Sequence, residues 1–149
     1  MELTVSLHII LETPPPAVDY GLQKGSGSQF EAVQKQRSQG KDLLFTVSIK
    51  QKEGKDGQPD FAGPFVQGPA GERFVYIDIG RFAGQANAVW DRRLKIPLKG
   101  ITWEMMQQAA EPGYVLETHV PGTGKDGTPT CATVKPFEGW RVVKLKHVV

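Results

Sequence analysis

"RFVYIDI", residues 73–79, has the alternation of a β-strand, and its two faces decide what must surround it. Successive side chains of a strand point to opposite sides, which puts Val75, Ile77 and Ile79 on one face and Phe74, Tyr76 and Asp78 on the other. Both faces are largely apolar, so this strand reads as central and covered on each side. The exception is Asp78, an acid placed beside two aromatic rings.

The same period continues outward. In "DLLFTVSIKQK" (42–52) Leu43, Phe45, Val47 and Ile49 face inward, while Thr46, Ser48 and Lys50 face away. Near the N-terminus Leu3, Val5, Leu7, Ile9 and Leu11 share one face, opposite Thr4, Ser6 and His8. Shorter strand candidates are "QFEAVQ" (29–34), "RLKIPL" (93–98), "YVLETHV" (114–120), "TCATV" (130–134) and "WRVVKLKHVV" (140–149). In the last, Val143, Leu145 and Val149 fall together. Pro97 restricts "RLKIPL" to a sheet edge or a strand end, because proline cannot donate to the ladder.

One helix is expected, over about residues 102–110. Thr102 caps it, Glu104 suits its first turn, and Pro112-Gly113 stops it. Ile101, Trp103, Met106 and Ala110 are spaced to dock it on a sheet. "GKDG" at 54–57 and again at 124–127 has turn chemistry, and Pro14 to Ser28 reads as the longest irregular region. The chain is therefore expected to be mainly β: an antiparallel β-sandwich or a small β-barrel of seven to eight strands with one short α-helix. Its 149 residues contain no linker-like stretch, which fits one domain over 1–149.

Composition narrows the functional classes. Eighteen Lys+Arg against 16 Asp+Glu leave a net charge of +2, without the basic stripe of a nucleic-acid binder. "RFVYIDI" also lacks the glycines and phenylalanine spacing of an RNA-binding strand, and Asp78 would repel phosphate. Cys131 is the only cysteine, so no intramolecular disulfide can form, in keeping with a cytoplasmic setting. "MELTVSLHIILETPPP" has Glu2 where an export signal needs a basic region, and reads as mature protein. No apolar run reaches the ~20 residues of a membrane helix, so a soluble protein is expected.

Few motifs carry chemistry. "GLQKGSGS" (21–28) is glycine-rich, but Lys24 precedes its glycine and no helix follows, unlike a P-loop. His8, His119 and His147 are scattered and show no metal-ligand spacing, so neither metal nor cofactor is expected. Cys131 reads as a small buried hydrophobe; a thiol assisted by His119 is the sharper alternative. Asp78 needs a base, with Arg73, Arg81, Arg92 and Arg93 available. Trp90-Asp91-Arg92-Arg93 is either a solvated charge cluster or a grip for an acidic or aromatic molecule.

Five blocks are distinctive in combining glycine, proline and tryptophan at unusual spacings: "VDYGLQKGSG", "QRSQGKDLLF", "FAGPFVQGPAGERFVYIDIG", "WDRRLKIPLKGITWE" and "DGTPTCATVKPFEGW". Together they resemble a small bacterial family known only as a domain of unknown function. The resemblance runs from the first strand to Trp140. It implies a free-standing, single-domain bacterial protein and carries over no catalytic residue.

The leading functional expectation is a non-catalytic module that binds a small anionic or aromatic ligand. Phe65, Tyr76 and Trp90 would supply apolar walls, Asp78 would orient a donor, and Arg73, Arg92 and Arg93 would receive a carboxylate or phosphate. One alternative is a small-barrel enzyme with Asp78 as general acid or base. The other is a protein–protein adaptor using sheet edges or the Phe65-Val66 segment, as monomer or homodimer.

Overall fold

The structure is a computed structural model, and it describes residues 2–12, 19–23, 35–36, 42–54, 57–59, 66–67, 73–81, 89–121, 130–133 and 138–145. Among these the elements run β1 (Glu2–Glu12), β2 (Asp19–Gln23), β3 (Lys35–Gln36), β4 (Leu43–Lys52), β5 (Val66–Gln67), β6 (Arg73–Arg81), β7 (Val89–Pro97), α1 (Trp103–Ala109), β8 (Tyr114–Pro121), β9 (Thr130–Thr133) and β10 (Arg141–Lys144). Eight of the strands have four residues or more, and β3 and β5 have two each.

The strands form two sheets. The first has the order β10-β8-β1-β4-β3, and the second the order β2-β6-β7-β9, with β5 also on β6. β7 occupies one edge of β6 from Phe74 to Arg81, so β5 and β2 share the other edge end to end. The inner rows meet as alternation requires. Val5, Leu7, Ile9 and Leu11 from β1 and Leu43, Phe45, Val47 and Ile49 from β4 join Val75, Ile77 and Ile79 from β6 in one buried cluster. Each such side chain, taken from water, contributes roughly 1.5–3 kcal/mol, which makes this shared layer the main source of cohesion. The arrangement is a mainly antiparallel sandwich. Among the described residues the sheets keep separate edges, so the barrel alternative is not formed.

β6 is interior to its sheet and buried along Phe74–Gly80, as its two apolar faces require. α1 matches its sequence signals. Thr102 accepts a hydrogen bond from the Met105 N–H at 3.1 Å, and Trp103, Met106 and Ala109 enter the core. Ala110, expected to dock, is partly buried at the C-cap. Gly113, at φ +87°, supplies the left-handed turn that leads into β8. Pro97 is the last residue of β7, where its missing N–H costs the ladder least.

Three features depart from the sequence reading. Asp19–Gln23, placed in the irregular region, is β2 and pairs antiparallel with β6, with Leu22 in the core. Two pairs are parallel, β1 with β8 and β7 with β9, because the intervening chain passes through the other sheet before returning. In β10 the core-side residue is Val142, opposite Leu116, so Val143 lies on the outer row with Val115 and Leu145 is exposed. The candidate strand "QFEAVQ" lies outside the described residues, as do Lys24–Ser28 and the second "GKDG". No helix among the described residues is long and apolar enough to cross a membrane.

Candidate functional site

The face of the second sheet that points away from the core carries Phe74, Tyr76 and Asp78 on β6 and Arg93 and Lys95 on β7. Asp78 and Arg93 are direct cross-strand partners. Arg93 Nε donates to Asp78 Oδ1 at 2.6 Å and its Nη2 donates to Oδ2 at 3.0 Å, a two-pronged fork. Asp78 is fully buried, and the Arg93 side chain is 19% exposed. The bidentate geometry fixes the guanidinium plane as well as satisfying the acid.

Each cation on this face also reaches diagonally to a ring. The Arg93 guanidinium lies over Tyr76 at 4.7 Å from the ring centre, and the Lys95 ammonium lies over Phe74 at 4.9 Å. Diagonal neighbours on one sheet face stand about 7–8 Å apart at Cα, a span that long side chains cover. Tyr76 and Phe74 are nearly buried although they belong to the face opposite the core cluster. The result is two cation–ring pairs side by side, the first locked by Asp78.

The other expected site residues are distributed differently. Arg92 pairs with Ile79, on the row of Leu94, and Arg73 shares the parity of Val75. Both are thus on the core-facing side of the sheet, and neither stands on the row of Arg93. A register shift between Ile79 and Gly80 adds one residue, Asp91, to β7 and brings the Trp90 backbone opposite Gly80. The side chains of Trp90 and Asp91 lie outside the described residues, and so does Phe65. Cys131 is the backbone partner of Arg93 in the second sheet, whereas His119 is on β8 in the first, which separates that pair by a sheet.

Residues 5–143 match the profile of a family described as "Family of unknown function (DUF5990)". The chain belongs to that family. The match begins in β1 and ends in β10, so it takes in both sheets and the Asp78–Arg93 fork. No curated protein and no solved structure matches the chain.

A second cluster within the family match was not singled out from sequence. His119 on β8 has Nδ1 3.3 Å from Glu12 Oε2 and Nε2 3.1 Å from Glu117 Oε1. Arg141 Nη2 lies 3.6 Å from the same Glu117 oxygen. These groups share the outer face of the first sheet, since Glu117 and His119 alternate with the core-facing Thr118. Glu117-x-His119 is legible as one face of a strand, but Glu12 and Arg141 arrive through strand pairings that spacing does not reveal. Beside this cluster is a cavity of about 120 Å³.

Proposed function

We propose that the protein is a non-catalytic binding module for a small anion, a carboxylate or phosphate, on the outer face of the second sheet. The observation that carries this reading is Lys95. Lys95 is partly exposed; its ammonium rests on the Phe74 ring and, among the described residues, meets no carboxylate. Arg93 beside it lies over Tyr76 and is held in a fixed orientation by Asp78, whose carboxylate offsets much of its charge. An anion entering here would gain from preorganised charge with little side-chain ordering to offset it.

The fork argues against Asp78 as a general acid or base. Both its oxygens are engaged by Arg93 and the side chain has no exposed surface, so no substrate atom could approach it. A bacterial, cytoplasmic setting is part of the proposal, supported by the resemblance and the lone cysteine.

The test is thermal melting of untagged protein with inorganic phosphate or citrate at matched ionic strength, beside native mass spectrometry of the protein as purified. An anion that binds the folded state raises the melting temperature by mass action. Lys95→Met should remove that rise. A melting temperature indifferent to every anion, with no bound mass, would defeat the proposal.

A further inference from the structure

The cavity beside β8 exists because β10 stops short. The two strands pair only from Arg141 opposite Glu117 to Lys144 opposite Tyr114. Before Arg141 the chain turns away: Gly139 adopts φ +92°, its carbonyl accepts from the Thr118 hydroxyl at 2.8 Å, and Trp140 enters the core. The Trp140 indole N–H donates to the Pro97 carbonyl at 2.9 Å, which pins the turn to the opposite sheet. The space left beside Thr118 and His119 measures about 120 Å³. At about 30 Å³ per water, that is room for about four waters, the scale of a very small molecule such as glycine.

Its rim carries both signs of charge. Glu138 is exposed and, among the described residues, has no hydrogen-bond or ion-pair partner. Arg141 is 66% exposed, and its 3.6 Å approach to Glu117 is longer than a hydrogen bond. Glu117 itself faces His119. A simple anion would meet Glu117 and Glu138, and a simple cation would meet Arg141. Only a molecule bearing both charges pairs with both.

The geometry points to a binding site for a small zwitterion here, an α-amino acid of glycine or alanine size. Its ammonium pairs with Glu138 and its carboxylate with Arg141, each through a charge-assisted hydrogen bond. Trp140 walls the inner side and His119 the outer. The site is separate from the cationic face of the second sheet and does not depend on it.

Titration of the intact protein with glycine, methylammonium or acetate, followed by amide and indole N–H resonances, tests the proposal. Glycine is expected to shift the Gly139 amide and the Trp140 indole N–H, with methylammonium and acetate at least about tenfold weaker. Glu138→Gln and Arg141→Gln should each weaken glycine by about tenfold or more while the melting temperature stays put, because both side chains are largely exposed. Retained glycine binding in both variants, equal binding of acetate alone, or no shift at about 100 mM glycine would overturn it.

Discussion

Arg93 holds two residues of the neighbouring strand at once, forking the Asp78 carboxylate directly across from it and covering the Tyr76 ring one step along. Removing Arg93 leaves the Asp78 carboxylate buried without its partner, whereas replacing both by apolar groups of similar size removes the conflict. Arg93→Met is therefore expected to destabilise the fold by about 3–5 kcal/mol, and Asp78→Leu/Arg93→Met by much less. Urea unfolding at unchanged slope measures both. A double variant as unstable as the single one would mean that the fork itself supports the strand pairing.

Lys95 gives the contrasting case. It is partly exposed and its contact is with a ring, so Lys95→Met should change the stability of the ligand-free protein by less than about 1 kcal/mol. Loss of anion-dependent stabilisation in the same variant is the readout for its proposed role. A large loss of stability without ligand would assign Lys95 to the fold.

At the start of α1, Thr102 satisfies the Met105 N–H. Thr102→Ala should cost about 0.5–2 kcal/mol and Thr102→Ser almost nothing, as serine caps equally well. Because Trp103 and Met106 belong to the core, loss of the cap should appear as lower global stability in chemical denaturation.

Thr118→Val keeps the shape of a buried side chain and removes its hydroxyl. The Gly139 carbonyl then loses its 2.8 Å donor, at a cost of about 1–3 kcal/mol. Since Gly139 lies on the cavity, the same variant is expected to weaken glycine binding, measured from the Trp140 indole resonance. Thr118→Ser should preserve both properties.

Residues with regular alternation were legible from the sequence because burial on one face leaves a period of two, as in Phe45, Val47 and Ile49. β2 was hidden because only Tyr20 and Leu22 of its five residues are large and apolar, and glycine and proline dominate its surroundings. Asp78 could be placed beside Tyr76 by parity, and Arg93 was one of four possible partners. Choosing it required the register of β6 on β7, and the bulge after Ile79 is invisible to spacing. The His119 cluster was unreadable for a related reason. Glu12 reaches His119 only because β1 and β8 run parallel, so a contact 107 positions apart leaves no local pattern.

The position of β1 has a consequence for how the chain acquires its structure. β1 lies between β4 and β8, so one of its edges is completed early in sequence and the other waits until residues 114–121 are present. Contacts of such long separation slow folding, since chain entropy is lost before they can form. A nascent or truncated chain ending before Tyr114 would display Leu7 to Leu11 along an open hydrogen-bonding edge, the template on which a second such chain can add. Release of β8 from the ribosome is then the step at which an aggregation-prone half-sheet becomes a protected one.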